Sequence, residues 1–139
     1  MYKKLGIFLL GIVVLGGGGI YYAQTSQDVL PTNTALMLDS VNPTVFETKN
    51  AEQQRIIIDV RTPEEFASGH LEGARNIDFY SAEFADIISA LDTSTAYSVY
   101  CRSGNRSGQT LELMKSLGFT DVLDLEGGIM AWVQSGKPL

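Results

Sequence analysis

Ile56, Ile57 and Ile58 stand side by side and are followed by Asp59 and Val60. A run that is apolar on consecutive rather than alternate positions suits a strand buried on both faces. Such strands belong to parallel sheets covered by helices, so residues 55–60 point to the α/β class. Residues 97–101, Tyr-Ser-Val-Tyr-Cys, give a second strand of this kind, and weaker strands are expected at 74–77 and 121–123. Helical patterns fall between them at 63–68, 82–91, 105–117 and 128–135. The third should end at Gly118, a residue that accepts the left-handed cap conformation.

The 139 residues leave room for one domain of ordinary size and a short addition. That addition is at the N-terminus, where Leu5 to Ala23 contains no charge and follows Lys3 and Lys4. As a helix this stretch would span roughly 28 Å, near the ~30 Å hydrocarbon thickness of a bilayer, and it is longer than a usual signal-peptide core. An uncleaved transmembrane anchor over residues 1–24 is therefore expected. Signal cleavage after Ala23 is the alternative, although Tyr21 is large for the small-residue site two positions before it. The lysine flank would keep the N-terminus inside the cell and place the domain on the periplasmic or extracytoplasmic side. Residues 25–34, polar and containing Pro31, read as a linker, leaving residues 35–139 for the domain.

With Lys3 and Lys4 assigned to the anchor, the domain keeps eight of the ten basic residues and all sixteen acids, a net charge of −8. A basic surface for nucleic acid or anionic lipid is excluded on this balance. The single cysteine, Cys101, cannot form an internal disulfide, and a lone thiol on an exported chain asks for a chemical role.

Cys101 ends the second buried strand and opens the loop Cys101-Arg102-Ser103-Gly104-Asn105-Arg106-Ser107, which leads into the third helix. Ligand sites of open α/β sheets lie at this carboxyl edge. A strand-to-helix loop can aim several backbone N–H groups at one point, and Gly104 supplies the positive φ such a nest needs. If Cys101 occupies that point, the anion held is its thiolate or the outer sulfur of a persulfide. Moving a thiol pKa from ~8.5 to ~6.5 takes about 2.7 kcal/mol. A helix terminus supplies up to ~2 kcal/mol and one charged hydrogen bond ~1.5 to 3, so the loop is sufficient.

The segment 101–107 resembles the active-site loop of rhodanese-like sulfurtransferases. Three further segments fall in the order that family shows: Ile58-Asp59-Val60-Arg61-Thr62-Pro63-Glu64-Glu65-Phe66, Gly69-His70-Leu71-Glu72-Gly73-Ala74-Arg75-Asn76-Ile77 and Glu126-Gly127-Gly128-Ile129-Met130-Ala131-Trp132. The resemblance covers roughly residues 35–139. It implies a three-layer fold with a central, mostly parallel sheet of about five strands flanked by helices. It implies a two-step sulfur transfer without cofactor or metal. Cys101 takes a sulfane sulfur from a small donor such as thiosulfate, then yields it to a thiol, cyanide or protein acceptor. It also implies that the backbone amides of Arg102, Ser103, Gly104, Asn105, Arg106 and Ser107 hold the persulfide. Arg106 would neutralise an anionic donor and Arg102 would line the entrance. Asp59 and Arg61 would pin the loop from beneath, and Gly127-Gly128 would leave open space beside it.

Two other classes use a similar loop. Protein tyrosine phosphatases place five residues between cysteine and arginine, whereas four separate Cys101 from Arg106, a tighter cradle that favours sulfur over a phosphoryl group. A module that binds a partner or senses oxidants could use the same thiol without turnover. Glu64 and Glu65 look like paired catalytic carboxylates, but Thr62-Pro63-Glu64-Glu65 fits a capping box. His70 is the only histidine, so a metal site is not expected and a hydrogen bond that fixes its loop is.

Overall fold

The computed structural model describes residues 11–13, 21–23 and 37–139. The chain divides into two compact units, Met1–Thr34 and Ala35–Leu139. In the first, β1 (Gly11–Val13) pairs antiparallel with β2 (Tyr21–Ala23), Ile12 facing Tyr22. These six residues lie inside the segment expected to form a membrane-spanning helix and are strands instead. The branched Ile12 and Val13 and the aromatic Tyr21 and Tyr22 suit extended backbone, and four glycines stand between the two runs in sequence. The rest of the expected anchor, and all of the expected linker, fall outside the described residues. Among the described residues no helix is long and apolar enough to cross a membrane.

The second unit begins with β3 (Met37–Val41) and α1 (Pro43–Gln53), then β4 (Ile56–Asp59), α2 (Pro63–Ala67), β5 (Arg75–Asn76) and α3 (Phe84–Ser89). It ends with β6 (Tyr97–Tyr100), α4 (Asn105–Ser116), β7 (Asp121–Leu125) and α5 (Gly128–Gln134). The five strands form one parallel sheet in the order β3-β7-β6-β4-β5. This is the α/β architecture that the consecutive apolar runs call for, since both sheet faces are covered. On one face Ile58, Tyr97, Val99, Cys101 and Val122 pack with Phe84 and Ile88 of α3 and Leu111 and Met114 of α4. On the other, Tyr100, Leu123 and Leu125 pack with Phe46 of α1 and Ile129 and Trp132 of α5. Successive strand residues thus serve opposite cores.

Local signals set the helix ends. Thr62 caps α2 in a capping box with Glu65, Pro63 being the first helical residue, and Gly118 has φ 84° after α4. Trp132 is a core residue, edge-on to Phe46. The sequence reading left β3 and α1 unassigned. The strand sets Asp39 and Ser40 side by side between apolar residues, without alternation, and α1 buries only Phe46, so neither carries a strong periodic pattern. What marks α1 is its start, where Asn42 Oδ1 accepts from the N–H groups of Thr44 and Val45 and Pro43 follows the cap.

Candidate active site

Strand β6 lies between β7 and β4, and its carboxyl end delivers Cys101 to the middle of the sheet edge. Because Tyr97, Val99 and Cys101 share a face, the cysteine side chain turns towards α4, and it is 1% exposed. Gly104, with φ 93°, turns the chain so that α4 starts above the sulfur. Its N–H donates to Cys101 Sγ at 3.1 Å, and the Ser107 hydroxyl stands 3.5 Å from the same atom. Burial is the largest single influence on the thiol and raises its pKa. The Ser107 hydroxyl and the N–H groups of Ser107, Ser103 and Gly104 together outweigh it, so the thiol lies below its ordinary value.

The loop is braced from β7's side. Gly128 has φ 61°, and a Cβ there would sit 2.5 Å from the Cys101 carbonyl oxygen and 2.6 Å from the Arg102 carbonyl. With that space left empty, the Ile129 N–H donates to the Cys101 carbonyl at 2.9 Å and the Met130 N–H to the Arg102 carbonyl at 3.2 Å. The glycine pair therefore serves the loop's own backbone.

From the β4 side, Asp59 and Arg61 form a buried ion pair whose hydrogen bonds reach the turn at Gly69 rather than the loop 101–107. The Arg61 Nε donates to both Asp59 oxygens at 2.9 and 3.0 Å, and a terminal nitrogen bridges Asp59 at 2.6 Å and the Gly69 carbonyl at 2.7 Å. His70 fixes the same turn, its Nδ1–H donating to the Phe66 carbonyl while its ring stacks on Phe66 at 3.8 Å.

The remaining loop residues divide. Arg102, Ser103 and Asn105 are exposed, and Asn105 Oδ1 accepts from Gln109 Nε2 at 3.0 Å. Arg106 does not stand free: two of its nitrogens donate to the two oxygens of Glu65 at 2.7 and 2.9 Å, with the Tyr80 ring 5.5 Å from its guanidinium carbon. Glu65 thus has a second role beside its cap, and the Arg106 guanidinium holds its carboxyl down to about 2. Spacing in the sequence could not pair residues 65 and 106.

The sequence reading also missed Asp124. It is 4% exposed on the face of β7 that meets α4. Its Oδ2 accepts from the Ser40 hydroxyl at 2.9 Å, and burial pushes its carboxyl above the usual carboxylate range. Oδ1 has no partner among the described residues. A charged residue inside the apolar run Val122-Leu123-Asp124-Leu125 was the available signal. Among the described residues, no group of three or more histidine, cysteine or acidic side chains is placed to hold a metal.

The family model that matches residues 42–135 is described as a rhodanese-like domain. A Synechocystis protein is 31% identical over 99 residues, 71% of this chain, and this chain spans 54% of that protein's length. The thiosulfate sulfurtransferase GlpE of Pseudomonas aeruginosa is 40% identical over 76 residues, 55% of this chain and 67% of that one. Among solved structures, a rhodanese-related protein from Thermoplasma volcanium shares 31% identity at a TM-score of 0.63, covering 72% of this chain and 95% of that one. The human single-domain sulfurtransferase TSTD1 shares 26% identity at a TM-score of 0.56, covering 68% of this chain and 95% of that one.

Proposed function

This chain belongs to the rhodanese-like family, and from that membership and the site's geometry we propose that it is a sulfurtransferase carrying sulfane sulfur on Cys101. The observation that supports this reading most directly is the cradle around Cys101 Sγ. One backbone N–H at 3.1 Å and one hydroxyl at 3.5 Å converge on a buried sulfur at the start of a twelve-residue helix.

In the first step the Cys101 thiolate attacks the sulfane sulfur of a donor such as thiosulfate. The new S–S bond is a persulfide, and sulfite leaves with the electron pair of the bond that breaks. In the second, a thiol, cyanide or protein nucleophile attacks the outer sulfur and the Cys101 thiolate is released. The N–H groups that lower the thiol pKa stabilise this leaving group too. Arg102, exposed on the loop, meets an anionic donor first. Arg106 brings a charge already balanced by Glu65, so the pair orders the loop as much as it attracts anions.

Membrane attachment through residues 1–24 rests on the Lys3-Lys4 flank and the uncharged run alone. The test of the reaction is intact mass of the full chain after incubation with thiosulfate. A gain of about 32 mass units, reversed by a reducing thiol and absent in Cys101→Ser, is the expected result. An unmodified Cys101 with thiosulfate and with other sulfane donors would overturn the reading.

A further inference from the structure

The two guanidinium groups of the loop around Cys101 stand in different states. Arg102 is exposed. Arg106 keeps only 12% of its side chain exposed and has both Glu65 oxygens at 2.7 and 2.9 Å, with the Tyr80 ring 5.5 Å from its guanidinium carbon. The residue after it, Ser107, places a hydroxyl 3.5 Å from Cys101 Sγ, so the pair lies beside the reacting sulfur. Glu65 is itself held. Its Oε2 also accepts from the Thr62 N–H at 3.0 Å, and its own N–H donates to the Thr62 hydroxyl. The carboxylate is fixed by the start of α2 and cannot swing away from Arg106 without opening the cap.

An anion that approaches Cys101 meets these charges together. A guanidinium with its counter-charge beside it acts on the incoming ion as a dipole, whose pull falls off faster with distance than that of a free charge. The chain as a whole carries a net charge of −6, so its long-range field opposes anions. The surfaces on the two sides of the loop are apolar. Tyr80, beside Arg106, is exposed, and so is Met130, whose N–H donates to the Arg102 carbonyl at 3.2 Å. A second negative charge on a donor therefore gains little here, while an organic group finds contact.

Resting on the sulfurtransferase reading, we propose that Glu65 sets the charge of the donor: by closing on Arg106 it fits the site to organic sulfane donors with a single negative charge, such as alkanethiosulfonates and organic persulfides, in preference to the dianion thiosulfate. With a thiosulfonate, the Cys101 thiolate attacks the sulfane sulfur and the S–S bond of the persulfide forms. The sulfinate leaves with the electron pair of the bond that breaks. Atoms and charge balance as they do for thiosulfate and sulfite, with one negative charge fewer on each side. Glu65 keeps its own charge throughout the range in which such donors are anions, since Arg106 holds its carboxyl down to about 2. It acts through Arg106 and touches no reacting atom, so it is a positioning residue.

The full chain and its Glu65→Gln variant are compared with pairs of reagents that differ by one negative charge. Iodoacetate against iodoacetamide reads alkylation of Cys101, and thiosulfate against the methanethiosulfonate anion reads persulfide formation by intact mass. Glutamine also closes a capping box, so the variant keeps the start of α2. A general disturbance of the loop changes both members of a pair alike, and the ratio reports charge. In the wild type methanethiosulfonate is expected to outpace thiosulfate at equal concentration, and the iodoacetate ratio should not fall as salt is added. Glu65→Gln should raise the ratio of the more charged reagent to the less charged about threefold in both pairs at low salt, the effect of uncovering one unit charge near the reagent. That gain should shrink at high salt. An unchanged or lowered ratio in either pair, a faster reaction with thiosulfate in the wild type, or a wild-type iodoacetate ratio that falls with salt overturns this role of Glu65. Absence of a persulfide with every donor is a separate result: it removes the sulfurtransferase reading and this assignment of donors with it.

Discussion

Asp59 and Asp124 are buried carboxyl groups on the two strands that flank β6, and they serve opposite ends of a scale. Asp59, opposite Tyr100 at the end of β4, is bound by the Arg61 side chain and by the Arg61 N–H at 2.9 Å. Asp124, opposite Val99 on β7, has the Ser40 hydroxyl as its side-chain donor and, among the described residues, an unpartnered oxygen. A carboxylate closed in by a guanidinium is committed as a charge and acts as a strut. One held by a hydroxyl has no counter-charge, and burial favours its neutral form. The two flanks of β6 therefore differ in kind: beside β4 the buried carboxyl is closed into an ion pair tied to the Gly69 carbonyl, and on β7 it is held by a neutral hydroxyl.

The sharpest way to break this contrast is Asp59→Asn. It leaves the Arg61 guanidinium buried without its counter-charge, and removing one partner of such a pair costs about 3 to 5 kcal/mol. Urea denaturation at neutral pH should show a loss of that size, and a loss below about 1 kcal/mol would place the strut elsewhere.

A smaller effect is expected at the Glu65–Arg106 pair, which is partly exposed. Glu65 has its folded pKa lowered from 4.5 to about 2, so its contribution is present above pH 4.5 and is lost as pH falls towards 2. After allowance for solvent screening, Glu65→Gln should remove about 1 kcal/mol at neutral pH. It should also flatten the decline of the wild-type urea midpoint between pH 4.5 and 2. An unchanged decline in the variant would show that other carboxyl groups carry it.

The smallest effect is expected at Asp124, whose raised pKa means that the folded state gives up this proton less readily than the unfolded chain. Its contribution to stability therefore weakens as pH rises through the folded value. Asp124→Asn should change unfolding free energy at pH 7 by less than about 1 kcal/mol, with the balance moving in favour of the variant as pH increases. A loss comparable to that of Asp59→Asn would make Asp124 a second strut and erase the distinction between the two sides.

Much of the site was legible because its signals are local. The consecutive isoleucines of β4, the capping box at Thr62 and Glu65, the glycine after α4 and the loop from Cys101 to Ser107 each announce themselves within a few residues. Asp59 and Arg61, two positions apart, were within reach of each other for the same reason and form a buried ion pair. The strand β3 and helix α1 escaped because the strand mixes polar and apolar positions and the helix buries one side chain, Phe46. For the N-terminal segment the uncharged apolar run argued for a spanning helix by length alone, and the six described residues there are strands. Length did not weigh the strand preference of Ile12, Val13, Tyr21 and Tyr22, which pair across β1 and β2.

What the sequence by itself determined was the α/β class, the place of Cys101 at the carboxyl end of a buried strand, and the loop that turns N–H groups towards its sulfur. These depend on backbone preferences and hydrophobic patterning over a few residues. Only the tertiary structure decided that Glu65 takes Arg106, that Gly128 opens space for the Cys101 carbonyl, and that Ser40 donates to Asp124. Those contacts join residues 84 apart for Ser40 and Asp124 and 41 apart for Glu65 and Arg106. They exist because the strand order β3-β7-β6-β4-β5 brings distant segments together, and no local pattern encodes that order.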